Sequence, residues 1–337
     1  MATSLPILIA FDHLPSSQAG AQMAIGPGGF TNISNNADVE ITAGKYLRLY
    51  WIPGYIARFE FPAVVQITLG VRCYTSSLNA NGTFFSFLAS SAGGELLHLD
   101  CATGPIRLYR GATLLATGST VVTDGVGRYL EIQVVFHATA GSVVIRLDGQ
   151  EPGDEEIAIT GINTLNGQAS CGAAQFEATG NQQNYGFRDI YVREELEFWG
   201  SLVPRRLKPT SDVLQQWDPD SGTDHYARVA DASGSDGASS YISTQTLDEE
   251  DEFGTEDLPA GVNSIVAVTV GSIGDAPSGG NPLVSPTVRQ NSVQAVGEAQ
   301  SLNQYMRQQQ STFLTAPDAS AWTEAKVNAM TVGIKAA

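Results

Sequence analysis

Cysteine is scarce, with only Cys73, Cys101 and Cys171 in 337 residues. Their odd number and wide spacing argue against a disulfide framework or a zinc ribbon and leave them as small buried hydrophobes. Charge is thin too, at 16% of residues, and the deficit falls on Lys and Glu, which helices favour. A helical bundle or coiled coil is therefore not expected. Basic residues are the scarcer sign: 18 Lys plus Arg against 35 Asp plus Glu give a net charge of −17, which repels a phosphate backbone and removes nucleic acid as a partner. Leu5–Phe11, the longest apolar run near the start, is interrupted by Pro6, follows no basic residue and falls far short of the ~20 residues of a membrane span. Neither membrane insertion nor a secretory leader is expected.

Familiar catalytic signatures are also missing. The only Gly-Lys pair, Gly44-Lys45, is followed by Tyr46, so there is no phosphate-binding loop of the nucleotide-hydrolase type. There is no His-Glu-x-x-His, and Ser-Gly-Ser-Asp-Gly at 233–237 has its glycines out of place for a nucleophile elbow. Thr31 stands where Gly26-Pro27-Gly28-Gly29 would need a third glycine for a dinucleotide fingerprint. None of the four histidines, His13, His98, His137 and His225, is at metal-ligand spacing from another. In Glu95-Leu-Leu-His-Leu-Asp100, strict strand alternation sends Glu95 and Asp100 to opposite faces, which argues against the paired carboxylates of a glycosidase. The expectation is a protein that is not an enzyme.

What is present is strand after strand. Leu5–Phe11, Tyr46–Trp51, Ile56–Phe61, Val64–Tyr74, Thr83–Ala89, Leu96–Asp100, Ile106–Tyr109, Tyr129–Ala138, Ser142–Leu147, Glu156–Thr160 and Phe187–Arg193 are short runs rich in Val, Ile, Leu, Tyr and Phe, most of them separated by Gly, Asn, Ser or Pro. Leu130, Ile132, Val134 and Phe136 alternate with Glu131, Gln133 and Val135, the period of a half-buried strand, and Val143 and Ile145 join them from the next strand. No interval carries a helical period, so antiparallel sheets in a sandwich follow. About two domains suit the length. The first is placed at 1–195 and an extended, Pro-containing connector at 196–208. A smaller β-sandwich occupies 209–337, with strands at Ile265–Val270, Ser301–Met306 and Thr331–Lys335 and a short helix at Trp322–Met330.

Two acidic stretches stand out in the second part. Between Arg228 and Arg289 there is no Lys or Arg but there are ten acids, seven of them within Asp248–Asp257. They read as a solvated loop, or as a surface for a basic partner or a divalent cation. In Asp218-Pro-Asp-Ser-Gly-Thr-Asp224, the carboxylates of Asp218, Asp220 and Asp224 suit one Ca²⁺, and an Asx-Pro turn followed by a glycine turn explains the same residues without metal. No other cofactor is implied. Asp148-Gly149 reads as a hairpin turn.

Two resemblances add to this. Tyr129-Leu-Glu-Ile-Gln-Val-Val-Phe, Gly141-Ser-Val-Val-Ile-Arg-Leu-Asp-Gly149 and Phe187-Arg-Asp-Ile-Tyr-Val192 resemble the closing strands of a concanavalin-like or laminin-G-like jelly roll. Phe198-Trp-Gly, Leu207-Lys-Pro-Thr, Trp217-Asp-Pro-Asp-Ser-Gly, His225-Tyr, Tyr241-Ile-Ser-Thr and the stretch from Ala321 to Lys335 resemble a module of tailed-bacteriophage virion proteins. The second resemblance implies a structural component of the tail tip, fibre or head surface, assembled in the host bacterial cytoplasm beside other virion proteins. The alternative is a receptor-recognition module for a host-surface glycan, for which Trp51 with Tyr55, and Tyr185 near Asn181 and Asn184, are the aromatic and polar candidates. Assembly is expected as a homo-oligomer, with a trimer the first guess. Its contacts would pair Arg205, Arg206 and Lys208 of one copy with Asp248, Glu249, Glu250, Asp251 and Glu252 of the next.

Overall fold

A computed structural model describes residues 7–9, 32–33, 39–41, 47–49, 55–75, 82–90, 92–100, 104–121, 127–178, 185–230, 239–262, 264–276, 280–302 and 307–337. Among the described residues the regular structure is nearly all antiparallel β, as expected. It divides into two compact units, with the boundary between Val203 and Pro204.

The first unit carries β1 (Ile7–Ile9), β2 (Asn32–Ile33), β3 (Val39–Ile41), β4 (Leu47–Leu49), β5 (Tyr55–Val64), β6 (Gln66–Thr75), β7 (Thr83–Ser90) and β8 (Gly93–Asp100). It continues with β9 (Pro105–Arg110), β10 (Thr113–Val121), β11 (Arg128–Val135), β12 (Gly141–Leu147), β13 (Ile157–Ile162), β14 (Cys171–Ala178) and β15 (Tyr185–Arg193). One sheet runs β13-β12-β11-β6-β15-β4-β3 with β1 on β15, and the other runs β10-β9-β8-β7-β14-β5-β2. The chain crosses between the sheets at β4–β5–β6–β7 and β13–β14–β15, while β7–β10 and β11–β13 run as consecutive neighbours within one sheet each, and together they make a jelly-roll-type sandwich.

The alternation read from the sequence decides which face is buried. Leu130, Ile132, Val134, Phe136, Val143 and Ile145 are all at most 4% exposed. They meet the other sheet through aromatic contacts: Phe87 with Phe136 at 5.6 Å, and Phe176 stacked on Phe187 at 4.3 Å. Buried Cys171 packs here as a small hydrophobe, and burial pushes its thiol pKa up. The Asp148-Gly149 turn is also as expected. Both residues have positive φ, 52° and 77°, and Gln150 N donates to Leu147 O.

On one open side of the sandwich a carboxylate ties the two sheets together. Glu156, just before β13, accepts hydrogen bonds from Ser119 N, Thr120 N, the hydroxyls of both residues and Gln150 Nε2, so it satisfies donors along edge strand β10. Burial works against its ionisation, but the bonds from Thr120, Gln150 and Ser119 outweigh that and bring its pKa from 4.5 down to about 2. The folded state thus binds this proton more weakly than the unfolded chain does. The stabilisation is complete above about pH 4.5 and is lost as pH falls towards 2. In acid titrations monitored by circular dichroism, Glu156→Gln should flatten the decline of stability across that window. A variant with the wild-type slope would assign the decline to other carboxylates.

The span read as a connector behaves differently in its first half. Residues 195–201 lie along the outer face of β11, β6 and β15. Thr68 Oγ1 donates to Glu195 O, Arg72 to Ser201 Oγ and Gly200 N to Glu131, while Arg146 and Arg193 lie over the rings of Phe198 and Trp199. Glu131 had been placed on the polar face, yet it is 1% exposed and also accepts from Tyr191 Oη at 2.5 Å. The Tyr191 ring crosses Gly70 to reach it, in space that a Cβ at Gly70 would occupy at 2.0 Å.

The second unit carries β16 (Pro209–Leu214), β17 (Asp218–Pro219), α1 (Tyr226–Val229), β18 (Ile242–Ser243), β19 (Glu250–Thr255), β20 (Val268–Gly274) and β21 (Leu283–Gln290). It ends with β22 (Val293–Val296), β23 (Gln300–Ser301), β24 (Arg307–Phe313), α2 (Glu324–Asn328) and β25 (Met330–Ala336). A sheet ordered β16-β19-β25-β21-β22, with β23 also on β21, is joined by the antiparallel pair β20-β24. Between them sit Val288, Trp322, Val327 and Met330, with Val268, Val270 and Phe313 packed against that cluster. The expected helix is present but shorter, started by Thr323, whose side chain accepts from Lys326 N. Most of the strand expected at Ser301–Met306 lies outside the described residues, and the Gln-rich β24 that follows is one that composition did not mark.

Candidate functional site

The outer face of the β10–β2 sheet carries an uninterrupted polar row. Ser86 on β7 pairs with Gln175 on β14 and His98 on β8. Gln175 pairs in turn with Arg58 on β5, and His98 with Tyr109 on β9. Because residues in register share a face, Arg58, Gln175, Ser86, His98 and Tyr109 cross five strands as one line. Arg58 holds Gln175 Oε1 through Nε at 2.9 Å and Nη2 at 2.5 Å, and His98 stacks on Tyr109 with centroids 5.0 Å apart. Ser86 and Gln175 are buried, and Arg58, His98 and Tyr109 are partly exposed.

Three carboxylates gather at this row. Glu177, two residues beyond Gln175, accepts from the Ser86 hydroxyl and, at 3.3 Å, from Gln175 Nε2. Glu95 Oε1 lies 2.9 Å from His98 Nδ1, and Asp100 Oδ1 lies 3.7 Å from His98 Nε2. This corrects the expectation that Glu95 and Asp100 fall on opposite faces. Leu97 pairs with Phe87 and Glu95 with Leu88, leaving Leu96 as an extra residue, and this β-bulge returns Glu95 to the face of His98. Burial works against charging His98, but its hydrogen bond to Glu95 and the charges of Glu95, Asp100 and Glu177 lift its pKa. Burial lifts the pKa of Glu177, helped by the charge of Glu95 and opposed by the Ser86 and Gln175 bonds.

Of the residues singled out from sequence for glycan contact, Tyr185 is overturned. It is 2% exposed and packs inside the sandwich against Phe84 and Phe187, so it offers no platform to a ligand. Trp51, Asn181 and Asn184 lie outside the described residues, as does the side chain of Tyr55, which opens β5.

The three candidate Ca²⁺ ligands lie on the surface around β17. Asp218 opens β17, Asp220 accepts from Tyr241 N and Ser221 Oγ, and Asp224 accepts from Thr223 Oγ1. Among the described residues no group of three or more His, Cys, Asp or Glu is placed to hold a metal ion.

The assembly pairing is corrected as well. The middle of the acidic stretch is no loop: Glu250, Asp251 and Glu252 lie on β19 inside a sheet and are buried. Glu250 accepts from Thr287 and Gln294, Glu252 from Arg289, and Asp251 from Gln216 N, Trp217 N and His225 Nδ1. Asp248 pairs with Lys335, and Glu249 accepts from Thr244. Buried and held by the unit's own donors, Glu250, Asp251 and Glu252 are not free to meet Arg205, Arg206 and Lys208 of another copy, whereas the Asp248 carboxylate is exposed. The backbone N–H of Lys208 donates to Glu256 within the unit.

No protein-family model and no curated protein sequence matches the chain. Similar solved structures include a marine alginate lyase from Aplysia kurodai, with 11% identity, TM-score 0.40, and coverage of 56% of this chain and all of that one. Basic winged bean lectin with Tn-antigen is 10% identical, with TM-score 0.38 and coverage of 56% and 97%. A sialidase is 12% identical with TM-score 0.39; 49% of this chain matches, but only 17% of the sialidase's length. At these levels the likeness is to a β-sandwich architecture. The expectation of a protein that is not an enzyme is corrected here, because a sialidase and an alginate lyase are among the similar structures and missing signatures do not exclude chemistry on this frame. Among the described residues no helix is long and apolar enough to cross a membrane.

Proposed function

We propose that the chain is a carbohydrate-recognising component of a tailed-bacteriophage virion, with the outer face of the β10–β2 sheet turned to a host-surface glycan. The observation that carries the glycan reading is the row Arg58–Gln175–Ser86–His98–Tyr109. Arg58, His98 and Tyr109 present donors and a His98–Tyr109 stack at the spacing of neighbouring strands, held from beneath by buried Ser86 and Gln175, which suits an extended, hydroxyl-rich chain. The virion setting, in the tail tip or fibre region, rests on the resemblance of Phe198–Lys335 to phage virion modules.

Tyr109→Ala and Arg58→Ala should each weaken binding of host capsule or O-chain polysaccharide at least tenfold, measured by calorimetry, while leaving the melting temperature of the first unit near wild type. Unchanged affinity in both variants would remove the row from the glycan reading. The virion setting has its own test, which is whether antibody to the chain labels purified particles in electron micrographs.

A further inference from the structure

Resting on that glycan reading, we infer that His98 is a proton gate for the face: the imidazolium, clamped between Glu95 and Asp100, completes the platform with Tyr109, and the neutral ring does not. His98 meets one carboxylate at each ring nitrogen. Its Nδ1 lies 2.9 Å from Glu95 Oε1, and its Nε2 lies 3.7 Å from Asp100 Oδ1. A neutral imidazole carries a single N–H, and the Glu95 bond claims it for Nδ1. The Nε2 lone pair then faces Asp100 Oδ1, so two acceptors oppose each other.

Asp100 supplies a separate observation in favour of the second proton. Its Oδ1 is buried and has no hydrogen-bond partner. Closed off from solvent, that oxygen depends on the protein for a donor, and a proton on His98 Nε2 is the donor it lacks. Both ring nitrogens then donate to carboxylates, and the ring is held from two sides. It is stacked on Tyr109 at 5.0 Å with 10° between the planes, where positive charge on the imidazole is favoured by the face of the phenol ring.

The groups that face His98 set where the proton leaves. Its own strand contributes Glu95 and Asp100, β14 contributes Glu177, and β7 between them contributes the neutral Ser86. On β9 stand Tyr109, in register with His98, and Arg107, in register with Asp100, the one cation of this set. Burial works against charging the ring, but the Glu95 bond and the three carboxylates outweigh it and lift the His98 pKa above 6.5. The imidazolium is therefore the main form below that raised value and is lost as pH climbs through it. Beyond that point Nε2 is an acceptor turned towards Asp100, the clamp is open on that side, and the stack on Tyr109 loses its cation. By reciprocity, a sugar seated on the stack tightens the hold on the proton.

The experiment titrates the full chain with purified bacterial capsule and O-chain polysaccharides and with soluble β-glucan, by calorimetry from about pH 5 to about pH 9 in buffers of different ionisation enthalpy. Because only the clamped fraction binds, affinity should fall about tenfold by one pH unit above the midpoint, with proton uptake on binding near it. His98→Gln cannot titrate and should give a level profile at lowered affinity, whereas Asp100→Asn should move the fall to lower pH. Nitrogen-15 NMR of the wild-type histidine rings needs neither variant nor ligand: both His98 nitrogens should carry protons at about pH 6, and the midpoint should lie above 6.5. A level wild-type affinity, a His98→Gln profile as steep as wild type, or a His98 Nε2 without its proton at about pH 6 overturns the gate and leaves the glycan reading standing. No binding at any pH overturns the glycan reading and the gate with it.

Discussion

Ile132→Asp leaves the first unit unable to fold. Ile132 is 1% exposed, between Leu69 on β6 and Ile145 on β12, and its side chain faces Phe85, Phe87 and Leu97 of the opposite sheet. Burying the isoleucine stabilises by roughly 1.5–3 kcal/mol, and an aspartate there loses that and adds the cost of a carboxyl with no partner, several kcal/mol more. The sum is comparable with the ~5–15 kcal/mol stability of a whole domain. The variant should be insoluble, or soluble without cooperative melting or near-ultraviolet dichroism. A cooperative transition at the wild-type temperature would show that Ile132 does not face the core.

A second large effect belongs to the other unit. Asp251 is 0% exposed and accepts from Gln216 N at 2.7 Å, Trp217 N at 2.9 Å and His225 Nδ1 at 2.6 Å. Asp251→Ala leaves two backbone N–H groups and an imidazole without their acceptor, a loss of about 3–5 kcal/mol for a broken buried pair. Asp251→Asn keeps one acceptor oxygen and should cost less. Denaturant unfolding read by tryptophan fluorescence reports this directly, because Trp217 Nε1 is itself bonded to Glu249 O beside the site. An Asp251→Ala midpoint within experimental error of wild type would show that the network is not what holds β16 and β19 together.

These two residues mark the boundary of what could be read in the chain. Ile132 was legible because alternation is a property of neighbouring residues: once Leu130–Phe136 is a strand, geometry sends every second side chain inward. Asp251 was not. Its stretch holds five acids in a row, which local chemistry assigns to solvent, and only donors 26 to 35 residues earlier make burial tolerable. The strands missed in the first unit fail for a related reason. Cys171–Ala178 is built of small and polar residues, and it becomes a central strand because β5 and β7 pair with it on either side.

The candidate site divides the same way. His98, Glu95 and Asp100 were visible, and Phe85-Ser86-Phe87 and Ala174-Gln175-Phe176-Glu177 each alternate polar with apolar, which marks an outward face. That Ser86, Gln175, His98, Tyr109 and Arg58 form one row depends on register, which no stretch of sequence states. That Glu95 and Asp100 meet at His98 depends on one extra residue in β8, which a strict period of two cannot anticipate. Composition and alternation by themselves determined an acidic, helix-poor, antiparallel protein and the buried face of its central strands. Pairing between distant strands alone decided where the polar residues of the other face come together, because hydrogen-bond register is set by partners far along the chain.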